Sequence, residues 1–161
     1  MSRKIEDLHP LIQPKAYLLI KMAKEEANLD ITIYRTRVTW EEQDVIYAQG
    51  RTKPGVVVTN ARGGESYHNY SLALDFAILK PGSSIIDWSG KCDVDGDQEP
   101  DYQEVGKLGE DIGFEWGARF TSMKGDLGHL QMSFGLTIRE LRIYYLGGLR
   151  AIDLIIRRRA T

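Results

Sequence analysis

The sequence predicts an α+β domain, a small antiparallel sheet flanked by helices. Three observations lead there: helical patterns come first, the strand-like runs are short and scattered, and no regular βαβ alternation joins them. The chain has 161 residues, 42% apolar and 27% charged, which is one ordinary soluble domain. Disorder, collagen-like repeats and coiled coil are excluded as whole-chain readings. Lys and Arg total 21 against 23 Asp and Glu, so charge alone predicts no nucleic-acid partner. The single cysteine, Cys92, can form neither an internal disulfide nor a thiolate cluster, so any metal must be held by His and carboxylates.

Residues 9–28 carry apolar side chains at Leu11, Ala16, Leu19, Ile20 and Ala23 with Pro14 near the start, which predicts a helix. Residues 29–36 alternate and read as a strand. Thr39 followed by Glu42 is a capping box, so a second helix starts there and ends in the Gly/Pro-rich stretch 50–55. A β-branched run at 56–59 and a loop at 60–66 follow. Residues 72–79 are apolar except for Asp75, residues 87–104 are acidic and turn-rich, and 103–112 look helical up to Gly113. Residues 114–120 and 127–134 have strand character.

The tail is different in charge. From Arg139 onward six arginines face Glu140 and Asp153, a balance of +4 that leaves −6 on residues 1–138. Its apolar spacing predicts two short helices broken at Gly147-Gly148. They read either as helices packed on the domain with a solvated basic end, or as a basic amphipathic segment touching anionic polymer or lipid. No apolar h-region follows the N-terminal charges and no apolar run approaches 18 residues, so a chain made in the cytoplasm without a signal peptide is expected.

A carboxylate inside an apolar strand is costly unless it is paired or binds a metal. Period two puts Asp75 on one face with Ala73, Ala77 and Leu79, and the small alanines leave room over it. His68 stands seven residues before it, and His129 opens a later apolar run with Asp126 three residues earlier. Two imidazoles and a carboxylate suit catalytic zinc, which keeps a position open for water, and Asp126 is placed to act as base. From spacing alone, a surface pair or a buried hydrogen bond remains an equal alternative.

The Ser-x-His-x6-Asp arrangement at 66–75, followed about fifty residues later by a carboxylate-x-x-His, resembles the signature of the zinc D-Ala-D-Ala carboxypeptidase family. Residues 46–55 (IYAQGRTKPG), 58–61 (VTNA), 66–69 (SYHN) and 113–117 (GFEWG) resemble its L-alanoyl-D-glutamate endopeptidase branch, the phage endolysins and bacterial autolysins that cut the peptidoglycan stem peptide. The likeness spans residues 9–135. It implies a zinc peptidase catalytic domain over 1–135, with 136–161 as a helical basic tail packed on it or extending from it. It implies one zinc ion on His68, Asp75 and His129, and Asp126 as general base. It also implies an arginine after the first strand that steadies the substrate carbonyl, for which Arg35 and Arg37 are both available. Ser66 is expected to contact substrate or to cap a turn.

The implied function is lysis of the bacterial cell wall by hydrolysis of the L-Ala-D-Glu bond, by a monomer acting on peptidoglycan after release from the cytoplasm. The competing readings are a D-Ala-D-Ala carboxypeptidase with the same metal centre and a non-catalytic wall- or calcium-binding module. Calcium enters through the acidic loop. Asp93, Asp95, Asp97, Asp101 and Glu104 occupy positions 1, 3, 5, 9 and 12 of a twelve-residue EF-hand-like loop, with the Glu99 carbonyl at position 7. The loop departs from that pattern at position 6, where Gln98 stands for Gly, and at position 8, which is Pro100.

Overall fold

The computed structural model describes residues 1–121 and 125–159. The first helix, α1 (Gln13–Glu26), starts four residues later than its apolar pattern, with Pro14 in its first turn where no intrahelical donor is lost. Ala16, Leu19 and Ala23 form its buried stripe. Asn28 then takes a left-handed conformation (φ 51°) that turns the chain into β1 (Ile31–Arg35). Helix α2 (Trp40–Ala48) begins at the expected capping box: Thr39 Oγ1 accepts from the Glu42 N–H at 3.2 Å, and Glu42 accepts from the Thr39 N–H at 2.9 Å.

The β-branched run at 56–59 forms no strand. Val56, Val57 and Val58 are all more than half exposed, and β-branching without a partner strand does not make a sheet. The segment 114–120 supplies only β4 (Glu115–Trp116) before a 3-10 turn at Gly117–Arg119, and 127–134 supplies only β5 (His129–Gln131). Between β1 and β4 in sequence lie β2 (Ala73–Leu79), β3 (Ile86–Asp87) at the start of the acidic segment, and α3 (Asp101–Asp111).

The sheet is antiparallel throughout, in the order β1-β2-β5-β4, with β3 also on β2. Cross-strand partners share a face. Ile31–Ile78, Ile33–Phe76, Leu74–Leu130 and Leu130–Trp116 therefore line the core face, and all belong to one buried cluster with α1 and α3. Helix α3 comes close to that face because Gly106 and Gly109 lack side chains. A Cβ at Gly106 would lie 2.1 Å from the Trp116 ring, and one at Gly109 2.8 Å from Leu130.

The tail forms α4 (Ile138–Tyr145) and α5 (Leu149–Arg159), which meet at the predicted Gly147-Gly148 break. Leu141, Ile152 and Ile156 are buried in the common core, and Tyr145 stacks on Trp40 with centroids 4.8 Å apart. Asp153 on α5 lies 3.1 Å from buried His9. Two residues of the tail, 160 and 161, lie outside the described residues. Among the described residues no helix is long and apolar enough to cross a membrane.

Candidate active site

Two adjacent rows across the face opposite the core carry the polar side chains. In the first, Arg35 on β1, Asp75 on β2 and His129 on β5 are direct cross-strand partners. In the second, two residues along, Ala73, Gln131 and Glu115 pair in the same way. Arg35 reaches this face through an irregularity. Strict alternation would put it with Ile31 and Ile33, but the register shifts between Ile33 and Arg35 and turns Arg35 toward Asp75. Its Nη1 lies 3.3 Å from Asp75 Oδ2.

His68 arrives from a 3-10 turn (Tyr67–Tyr70) that Ser66 caps, with Ser66 Oγ accepting from the His68 N–H at 3.4 Å. The turn is fixed further by Asn69, whose Oδ1 accepts from Gly64 and Ser66 and whose amide donates to Val38. His68, Asp75 and His129 are all buried. His68 Nε2 is 3.1 Å from Asp75 Oδ1 and 3.3 Å from His129 Nδ1, and His129 Nδ1 is 3.0 Å from the same Asp75 oxygen.

This cluster has the chemistry of a metal site. His68 Nδ1 lies 2.7 Å from the Thr36 carbonyl, which can only accept, so Nδ1 carries a proton and, in the neutral ring, Nε2 turns a lone pair inward. A lone pair facing a buried carboxylate oxygen is stabilised by a proton or a metal cation between them. Ligand atoms bound tetrahedrally at about 2.0–2.1 Å stand roughly 3.3 Å apart, close to the spacing found here. Burial opposes the charge on Asp75, yet His68 and His129 outweigh it and hold the carboxyl well below its usual range. Burial likewise lowers His129, but the bond to Asp75 prevails and its pKa is raised.

Asp126 stands beside the cluster. Its carbonyl accepts from the His129 N–H at 3.3 Å, and Gly117 packs between them. A Cβ there would lie 2.6 Å from the Asp126 carbonyl and 3.0 Å from His129 Cβ. Burial and then the charge of Asp75 raise the Asp126 pKa, with His129, His68 and Arg35 opposing. These groups open into a cleft of about 600 Å³ that is also lined by Thr59, Ser66 and Phe120.

A family model described as D-alanyl-D-alanine carboxypeptidase matches residues 59–132. The peptidoglycan L-alanyl-D-glutamate endopeptidase CwlK of Bacillus subtilis (strain 168) is 44% identical over 126 residues, 78% of this chain and 74% of that protein. The chain belongs to this peptidase family. The crystal structure of the L-Ala D-Glu endopeptidase ChiX of Serratia marcescens has the same fold, with a TM-score of 0.51 at 15% identity over 81% of this chain and 84% of that one.

Within the D-alanyl-D-alanine carboxypeptidase family match lie His68, Asp75, the acidic loop, Asp126 and His129; Arg35 precedes it. The fold brings all of these except the acidic loop to one cleft, with Ser66 at its wall. Arg37 does not join them. It lines a separate cavity beside His9, Ser71 and Asp153, and its buried Nε has no hydrogen-bond partner among the described residues. Of the two arginines available after the first strand, Arg37 leaves the face of Arg35 because β1 ends at Arg35. There the chain pairs with the N-terminus instead: Ser2 donates to the Arg37 carbonyl and Thr36 donates to Ser2.

The acidic loop brings its carboxylates together in two groups, Asp93, Asp95 and Asp101, and Asp95, Asp97 and Glu104. Gln98, at the position where such loops use Gly, adopts the left-handed conformation that Gly favours (φ 77°). The Glu99 side chain stands apart, ion-paired with Lys107. Asp101 is fully buried and accepts from the Val94 N–H with both oxygens at 3.1 Å. Glu104 Oε2 is buried without a partner among the described residues, and burial together with the neighbouring carboxylates pushes its pKa up to about 7.

Sequence reasoning missed three residues of the cleft region. Gln43 is buried and donates to the Ala61 carbonyl at 2.9 Å, holding the loop wall. Gln131 touches His129, and Glu115 touches Gln131. Period two from His129 places Gln131 on the site face, the one signal available. Nothing local links Glu115 to either.

Proposed function

We propose that this chain hydrolyses the L-Ala-D-Glu bond of the peptidoglycan stem peptide with one zinc ion held by His68, Asp75 and His129. The observation that carries this reading is the convergence of three metal-binding atoms within 3.0–3.3 Å in an open cleft that also presents Asp126 and Arg35. Kinship with an L-alanyl-D-glutamate endopeptidase supports this bond over D-Ala-D-Ala. When bound, zinc supplies a Lewis acid that polarises the scissile carbonyl and makes water nucleophilic near neutral pH.

The residues divide the remaining work. Asp126 takes a proton from the attacking water and returns one to the leaving amine of D-Glu, while the water oxygen enters the new L-Ala carboxylate. Arg35, held by Asp75, turns a fixed positive charge toward the oxygen on which negative charge develops. Ser66 accepts from the His68 N–H and keeps its own hydroxyl proton for a substrate carbonyl. Digestion of purified peptidoglycan followed by mass spectrometry tests the bond. New N-terminal D-Glu is expected, and free D-Ala would transfer the chain to the carboxypeptidase reading.

The two arginines separate in the same assay. Arg35→Ala is expected to keep zinc and lose about 10²–10³ in kcat, the usual cost of an oxyanion donor. Arg37→Ala, outside the cleft, is expected to leave turnover within about 3-fold, as for a residue that touches no reacting group. Equal losses in both variants would remove the oxyanion role of Arg35.

The acidic loop is read as a calcium site on Asp93, Asp95, Asp97, Asp101 and Glu104 with the Glu99 carbonyl. The neighbouring carboxylates and the unpartnered Glu104 oxygen support it. Calcium at about 100 times its Kd would stabilise the zinc-loaded protein by about 2.7 kcal/mol. Thermal unfolding should show that shift in the wild type and not in Asp95→Asn; a wild-type midpoint indifferent to millimolar calcium would end this reading. The arginines of the tail are read as adding affinity for anionic wall polymer or a membrane surface, for a monomer released from the cytoplasm. Wall binding that ignores ionic strength would count against it.

A further inference from the structure

A chain of hydrogen bonds runs from His129 to the edge of the sheet. His129 Nε2 lies 3.1 Å from Gln131 Oε1, and Gln131 Nε2 lies 2.8 Å from Glu115 Oε2. The other Glu115 oxygen accepts from the Ser133 N–H at 3.2 Å and from the Ser133 hydroxyl. His129 and Gln131 are buried, while Glu115 sits on β4, the edge strand. The reading above uses neither Gln131 nor Glu115.

We propose that Glu115 and Gln131 are positioning residues that fix the tautomer of His129 and so decide which lone pair the metal cluster receives. This rests on His129 being a zinc ligand. A carboxylate accepts and does not donate, so Glu115 compels Gln131 to turn its NH2 outward. The amide oxygen is then left facing His129 and can only accept, which puts the imidazole proton on Nε2. A neutral imidazole has one N–H, so Nδ1 keeps its lone pair, and Nδ1 is the atom 3.0 Å from Asp75 and 3.3 Å from His68 Nε2.

The amide is the weak link in this chain, because its two ends have nearly the same shape. A flipped Gln131 would point NH2 at His129 Nε2, move the ring proton to Nδ1 and aim an N–H into the cluster. The Ser133 contacts hold Glu115 in the orientation that prevents the flip. Using an amide between histidine and carboxylate also keeps the negative charge of Glu115 at the solvent edge.

The test compares zinc affinity, by competition with a chromogenic chelator, and the His129 ring protonation, by ¹⁵N-resolved NMR of the full chain. Glu115→Gln lets residue 115 donate and frees Gln131 to flip. It is expected to weaken zinc 10–100-fold, the usual cost of losing an outer partner of a metal-bound histidine, and to move ring proton population from Nε2 to Nδ1. The exchanged pair Glu115→Gln/Gln131→Glu restores the pattern, since the carboxylate now at position 131 accepts from both neighbours. It should recover zinc affinity to within about 3-fold of wild type. A merely structural role predicts no such recovery. Wild-type affinity and wild-type ring nitrogens in a folded Glu115→Gln protein would overturn the inference. Failure of the folded wild type to bind zinc would instead remove the metal reading beneath it.

Discussion

Asp126→Asn is expected to retain one zinc ion and lose about 10²–10⁴ of its turnover, the range a positioned general base contributes. Asparagine keeps the size of the side chain and cannot take up a proton at neutral pH. Metal binding should survive because Asp126 is outside the group whose ligand atoms converge. The loop that holds it should survive too, since its link to His129 runs through its backbone carbonyl. Elemental analysis and peptidoglycan turbidity on the same preparation measure both quantities. An Asp126→Asn protein that clears wall at the wild-type rate would leave the cleft without its base.

The second large effect concerns Asp75. Asp75→Asn is expected to lose zinc by more than the roughly 10–100-fold of an outer-partner mutation, because a ligand itself is altered, and to reduce hydrolysis to background. Asp75 is the one carboxylate in its ligand group and is 3% exposed, so its charge is screened by little water. The amide is neutral, leaves Arg35 without its ion-pair partner, and offers an N–H that can face the imidazoles instead of a metal. Chelator competition and turnover read the loss, with circular dichroism to show that the sheet persists. Wild-type zinc content in this variant would exclude Asp75 as a ligand.

Much of the site was legible because its residues break local rules. Asp75 is a charge inside an apolar run, and such a residue demands a partner wherever the strand ends up. The capping boxes at Thr39 and Thr137 satisfy helix-end donors within four residues, though only the first was read from the sequence. Strand extent was read less well. The runs at 114–120 and 127–134 suggested long strands, while pairing is confined to Glu115–Trp116 and His129–Gln131. Hydrogen bonding to a neighbour, more than residue preference, sets where a strand stops.

By itself the sequence determined the α+β class, the capped start of the second helix, the break at Gly147-Gly148, and the residue types that a metal-dependent peptidase requires. Those features are local, or they belong to motifs whose spacing survives any rearrangement of the rest. Tertiary structure alone decided that Arg35 and not Arg37 faces the cleft, because a one-residue shift in register reverses the face of a side chain. It alone joined His129 to Glu115 through Gln131, a connection made by strand pairing across sixteen residues of sequence. Period two assigns a residue to a face; only the partner strand determines what it meets there.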